Sequence, residues 1–180
     1  MTNLSAYDIC GDEFYCYPWD VDLLKALARR LPANPTIINI GAGFGTSALA
    51  FMEAREDAFV FSIDVNLCDE ETEHLQAAGM WDRHQVVRVL GASQEIGKHW
   101  PGRADMVFVD GGHHFHGVYE DAVVWVPKVK PGGIIAFHDY GEPVCPEVKP
   151  AVDDLLENHP IGNRLTQIEH VGTLIAFVVT

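Results

Sequence analysis

Five residues, Thr36-Ile37-Ile38-Asn39-Ile40, run straight into Gly41-Ala42-Gly43-Phe44-Gly45 and then into Thr46-Ser47-Ala48-Leu49-Ala50-Phe51. A short β-branched apolar block predicts a buried strand, and the mixed apolar segment past the glycines predicts a helix. Strand, glycine turn and helix in that order open a doubly wound α/β sheet. The glycines permit positive φ angles and let a ligand approach the backbone closely. The helix, entered through Thr46 or Ser47, points the positive end of its dipole into the crevice. The spacing Gly-x-Gly-x-Gly is one residue tighter than the dinucleotide fingerprint. The next apolar run, 58–63, ends in Asp64, a little over twenty residues beyond Gly41. A carboxylate at that place can accept both hydroxyls of a ribose.

Composition narrows the partners. The 180 residues form one domain's worth of chain, 48% hydrophobic and 21% charged, as expected of a globular core. The net charge of −14 argues against a nucleic-acid or anionic-membrane surface, which would need clustered Lys and Arg. A small molecule is expected as the partner, and a small anionic one held by one or two local cations stays open. Cys10, Cys16, Cys68 and Cys145 lack Cys-x-x-Cys spacing, which predicts free thiols rather than zinc or disulfides. No stretch reads as a signal peptide or a membrane span, so a soluble, cytoplasmic protein is expected.

Residues 1–35 read as an N-terminal arm and helix, and 36–180 as the ligand-binding domain. The arm carries Tyr7, Phe14, Tyr15, Tyr17 and Trp19 and fits a lid, packing over the sheet edge, or a homodimer contact. Asp20 is placed as the cap of a helix over 20–31, ended by Pro32. Beyond Asp64, residues 69–80 predict a solvated helix, and 85–90 a third strand running into Gly91-Ala92-Ser93. Ser93 can cap the next short helix or face a ligand. The fourth strand, 105–109, ends in Asp110-Gly111-Gly112-His113-His114. A helix over 116–126 stops at Pro127. The turn Lys130-Pro131-Gly132-Gly133 precedes a fifth strand, 134–137, closed by His138-Asp139-Tyr140, and a helix spans 148–158. Residues 164–171 and 173–179 are joined by a turn too short for a parallel crossover, so they form an antiparallel hairpin. The fold class is therefore α/β, a doubly wound, mostly parallel seven-stranded sheet with an antiparallel C-terminal hairpin.

These residues carry a family resemblance. The turn 39–45, Asp64 after the second strand, the Lys130-Pro131-Gly132-Gly133 turn and the terminal hairpin resemble the Rossmann-like class I S-adenosylmethionine-dependent methyltransferases. Val109-Asp110-Gly111-Gly112-His113-His114 with Ala136-Phe137-His138-Asp139-Tyr140 resembles a bacterial branch of small O-methyltransferases acting on sugars or natural products, some with a divalent metal. The resemblance implies that Asn39, Gly41, Gly43, Phe44, Asp64, Val65, Ala92, Ser93 and Asp110 bind S-adenosyl-L-methionine. It implies catalytic roles for Asp110, His113, His138 and Asp139. Asp110, His138 and Asp139 could hold Mg²⁺ or another divalent ion, although His138 stands where better known members carry a carboxylate or carboxamide ligand.

Ligands in an open parallel sheet sit at the carboxyl ends of the strands. Asp110, His138 and Asp139 end neighbouring strands and can converge there. Two chemistries stay open: a metal that acidifies a substrate hydroxyl, or His113 or His138 as a metal-free base. Two other readings compete, a nicotinamide-dependent oxidoreductase and a cofactor-binding protein without catalysis.

Overall fold

The computed structural model describes residues 4–10, 16–81 and 85–180. Phe14 and Tyr15 of the arm lie outside the described residues. Seven strands, β1 Thr36–Ile40, β2 Phe59–Asp64, β3 Val86–Leu90, β4 Ala104–Val109, β5 Val129–Phe137, β6 Leu165–Val171 and β7 Leu174–Val179, form one sheet. Their order is β3-β2-β1-β4-β5-β7-β6. The first five pair in parallel, and β7 runs antiparallel between β5 and β6. The expected hairpin is present, and the strand order reverses between β1 and β4, where a doubly wound sheet opens its crevice.

Six helices cover the sheet: α1 Pro18–Arg29, α2 Thr46–Ala54, α3 Asp69–Ala77, α4 Ser93–His99, α5 Phe115–Trp125 and α6 Val148–Asn158. Alternation along the strands divides the apolar side chains between two cores. Met106 and Phe108 of β4 join Leu24, Leu27 and Phe51 on one face. Val107 and Val109 join Val118, Trp125 and Val152 on the other. In α6 the buried set is Val148, Ala151, Val152 and Leu155, the i, i+3, i+4, i+7 stripe of a helix lying on a sheet. Among the described residues no helix is long and apolar enough to cross a membrane.

Four local features differ from expectation. Asp20 does not cap α1. The helix starts two residues earlier, with Pro18 in its first turn, and the Asp20 carboxylate reaches back to accept from the Tyr17 amide at 2.9 Å. Ser93 does not cap α4 either; its hydroxyl donates to Asp121. The helix α3 is less solvated than its composition suggests, because Glu71 is fully buried against Arg88 at 2.7 Å. Lys130-Pro131-Gly132-Gly133 is not a turn ahead of β5. It lies within that strand as a bulge between the paired residues Val129 and Ile134, with Lys130 Nζ 2.9 and 2.8 Å from the carboxylate oxygens of Asp105.

Asp121 generates a stability prediction. It is fully buried in α5, Ser93 serves one oxygen, and among the described residues no donor reaches the other. Burial pushes its carboxyl up to about 6. The folded state then holds the proton more tightly than the unfolded chain, whose carboxyl titrates near ~3.9. Stability from this group is complete below about pH 4 and is lost as pH rises through about 6. Asp121→Asn should therefore be more stable than wild type at pH 7.5 by on the order of 1–3 kcal/mol, and the gain should vanish at pH 4. Urea unfolding at both pH values measures it.

Candidate active site

The sheet's hydrogen-bond ladder continues one step past the strand ends. Gly41 donates to Ile63 at 2.9 Å, Asp110 to Ile40 at 2.9 Å, His138 to Val109 at 3.1 Å and Gly91 to Asp64 at 2.8 Å. Asp64, Gly41, Asp110 and His138 are thereby set in a row along one edge. Gly41 is obligatory there: its φ is +84°, and a Cβ would stand 1.9 Å from the Asp110 carbonyl oxygen. At Gly43, with φ +48°, a Cβ would meet no protein atom within 4 Å, because this position opens onto the crevice.

Asp64 holds the glycine turn in shape. One oxygen accepts from the amides of Ala42 at 2.9 Å and Gly43 at 3.3 Å, and the other from Asn66 at 2.9 Å. A carboxylate has about four acceptor sites, so one remains for a ligand. Asn39 lies behind the turn, fully buried, where it accepts from the Ser47 hydroxyl at 2.9 Å and props the first turn of α2. Phe44, Val65 and Ser93 border the cavity with Asp64, whereas Asn39 and Ala92 do not.

At the other end stands a knot of acids and imidazoles. His138 Nδ1 is 3.3 Å from Asp110 and 3.2 Å from Asp139, and its Nε2 is 3.3 Å from Asp20. Burial opposes a charge on this ring, but the charge of Asp110 and the ring's close contacts with the carboxylates of Asp110, Asp139 and Asp20 outweigh it, and His138 is held protonated. The same contacts keep the Asp110 carboxyl below its ordinary range, against the opposing effect of burial. His113 is half-exposed on the cavity wall, its Nε2 3.1 Å from Asp139 and 3.6 Å from Asp110. The hydrogen bond to Asp110 and the charges of Asp139 and Asp110 raise its pKa. Neither His113 nor His114 caps α5 through its ring; the amide of Phe115 donates instead to Glu147 at 2.8 Å. Asp139 itself sits in the left-handed region, with φ +57°.

These groups share one cavity of about 810 Å³, within the size range of small-molecule sites. Its described lining contains four carboxylates, Asp64, Asp110, Glu120 and Asp139, and neither Lys nor Arg. Sequence reasoning missed Asp20, which is fully buried and faces His138. A signal was present, since Asp20 lies on the same helical stripe as Leu24, Leu27 and Leu31. It also missed Cys16, Val144 and Cys145 on the cavity wall, which come from irregular segments that carry no periodic signal. Burial pushes the thiol of Cys16 up to about 12, and burial with the charge of Asp139 pushes Cys145 up to about 11.

The donor set bears on the ion that the family resemblance implies. A hard ion such as Mg²⁺ asks for an octahedron of oxygens. Between Asp110 and Asp139 the chain instead places a ring nitrogen of His138 in contact with both carboxylates. That arrangement does not fit Mg²⁺. The cavity does fit S-adenosylmethionine, with an open approach at Gly43, a spare acceptor on Asp64 and a lining whose charge suits a cation.

Comparison with known proteins agrees with the architecture. Among curated proteins, y4gI of Sinorhizobium fredii is 26% identical over 135 residues, 68% of this chain; the chain spans only 14% of that protein's length. Among solved structures, the O-methyltransferase TomG from Streptomyces achromogenes in complex with SAM matches with a TM-score of 0.71 at 20% identity, over 94% of this chain and 83% of that one. The cofactor-bound Rv0187 from MTB matches with a TM-score of 0.72 at 18% identity, over 90% and 80%. Residues 38–140 match the family described as "Methyltransferase domain". That match takes in the glycine turn, Asp64 and, apart from Asp20, the acid–imidazole knot, and the chain belongs to this family of S-adenosylmethionine-dependent methyltransferases.

Proposed function

We propose that this methyltransferase transfers the methyl group to the hydroxyl of a small, uncharged acceptor such as a sugar or natural product. The observation that carries this reading is that Asp64 and the His113–Asp139 pair open onto the same cavity, whose described lining holds four carboxylates and neither Lys nor Arg. Bound S-adenosylmethionine supplies an electrophilic methyl on a sulfonium. Asp64 takes one ribose hydroxyl at its remaining acceptor site, Gly43 admits the ligand to the backbone, and Val65 and Ser93 flank the base. Phosphorylated, carboxylated or CoA-linked acceptors are disfavoured, because their anionic groups would meet four carboxylates and a single imidazolium, His138, already paired with Asp110 and Asp139.

His113 takes the acceptor's proton. Both rings border the cavity, but His113 is exposed to it, whereas His138 is buried, already protonated and enclosed by three carboxylates. Asp139, held by His138 on one oxygen, orients His113 with the other. S-adenosylmethionine held at Asp64 would supply the methyl group to the acceptor oxygen, its sulfur left as a neutral thioether, and His113 would keep the acceptor's hydroxyl proton. The imidazolium so formed is stabilised by Asp110 and Asp139.

Three measurements check these assignments. Asp64→Ala should weaken S-adenosylmethionine binding in calorimetry by on the order of tenfold to a thousandfold, since charge-assisted hydrogen bonds and the shape of the turn are lost together. Gly43→Val should abolish binding by filling the approach, and unchanged affinity in both variants would remove this end of the cavity from the cofactor. With an acceptor panel read by mass for one added methyl group, neutral hydroxylated compounds should react and their phosphorylated counterparts should not. With a reactive acceptor, the rate should rise with pH through an apparent pKa above the ordinary imidazole value of ~6.5, and His113→Ala should remove that limb. A limb that survives in His113→Ala would take the base role from His113.

A further inference from the structure

We infer that His113, Asp139 and Cys145 form a binding site for a borderline divalent ion of the Zn²⁺ class at the acceptor end of the cavity. One nitrogen, one oxygen and one sulfur donor from these residues all lie within 4.8 Å of one another. The tightest pair, His113 Nε2 and Asp139 Oδ2, is 3.1 Å apart. Donor atoms around a tetrahedral Zn²⁺ stand roughly 3.3–3.8 Å apart, given metal–ligand bonds of about 2.0–2.3 Å, so modest side-chain adjustments close the site.

The scaffold for this grouping is formed in advance. The amide of Glu142 donates to the Asp139 carbonyl at 3.1 Å, and the amide of Cys145 donates to Glu142 at 3.0 Å. Two successive turns therefore fold the segment after β5 back on itself and return Cys145 to the side of Asp139. His113 reaches the same point from the segment after β4. All three residues border the cavity, which leaves a further coordination position open to a water or a ligand.

Donor chemistry selects the ion. A thiolate and an imidazole favour Zn²⁺, Co²⁺ or a similar borderline ion and contribute little to a hard one such as Mg²⁺. The site also overlaps the reaction: Nε2 of His113 faces Asp139 and Nδ1 is the nitrogen left to take the acceptor's proton, and an ion on Nε2 moves the ring's own proton onto Nδ1. Ion binding and proton acceptance exclude each other at this ring, and the site is accordingly inhibitory.

The test uses the full chain and reads ion binding, with no acceptor needed. Calorimetry with Zn²⁺ should show one tight site, and Cys145→Ser and His113→Ala should each weaken it by tenfold or more. Cys68→Ser should leave it unchanged, and millimolar Mg²⁺ should not displace the ion. Co²⁺ should add a thiolate-to-metal charge-transfer band in the near ultraviolet that Cys145→Ser removes, while circular dichroism confirms that each variant is folded. Wild-type Zn²⁺ affinity in a folded Cys145→Ser or His113→Ala chain, a Co²⁺ spectrum without the thiolate band, or displacement by Mg²⁺ would each overturn the inference. None of those results touches the methyl-transfer reading, which stands or falls on S-adenosylmethionine binding and the acceptor panel.

Discussion

The amides of Gly41, Gly91, Asp110 and His138 each donate to a carbonyl at the end of a neighbouring strand, so the parallel ladder outlasts the strands by a step. This extension turns a sheet edge into a site. It aligns residues from four segments far apart in sequence without help from any of their side chains. It also forces Gly41 against the Asp110 carbonyl at a separation no Cβ could occupy. The glycine is thus fixed by the strand pairing as much as by any ligand. Since backbone hydrogen bonds inside a covered sheet hardly yield, the distance from the Asp64 end of the cavity to the His138 end is set before anything binds.

His138 then ties that row to the rest of the domain. Its ring touches Asp110 after β4, its own neighbour Asp139, and Asp20 from α1. A buried charge of this kind contributes little net stability, because desolvation offsets most of the attraction. Its value lies in geometry. With the imidazolium in place, Asp110 and Asp139 are held apart and oriented; without it, three carboxylates would repel one another in a dry site. The N-terminal helix thereby becomes part of the site, with Leu24 and Cys16 on the cavity wall and Asp20 beneath it.

What was legible in the sequence follows from this arrangement. Asp64, Asp110 and His138-Asp139 each terminate an apolar run, and a strand's end is the one place where pattern and position coincide. Asp20 was visible but misassigned, because an acidic residue at a helix start reads as a cap; that it points inward depends on the tertiary partner His138. Glu71 and Asp121 were hidden for a related reason. A carboxylate on a polar helix looks solvated until Arg88 or Ser93 is seen against it. Asn39 was assigned to the cofactor and Ser93 to a cap or a ligand contact; the first props α2, and the second pairs with Asp121 while bordering the cavity, since short polar side chains find backbone and buried partners equally well. Cys145 and Val144 lie in a Pro-rich connection, where no periodicity constrains which way a side chain faces.

Charge completes the account of selectivity. Inside a partly enclosed cavity, carboxylates are screened far less than on the surface, where the Debye length is about 8 Å at physiological salt. The lining offers four of them against one imidazolium, His138, and neither Lys nor Arg, in a chain of net charge −14. A ligand bearing sulfonium and ammonium groups is therefore drawn in from solution. Methyl transfer erases the sulfonium charge. The spent cofactor then loses part of the attraction, so the same carboxylates that concentrate the substrate favour departure of the product. A lysine or arginine in the lining would weaken both effects at once, which gives a physical reason for its absence among the described residues even though 12 such residues occur elsewhere in the chain.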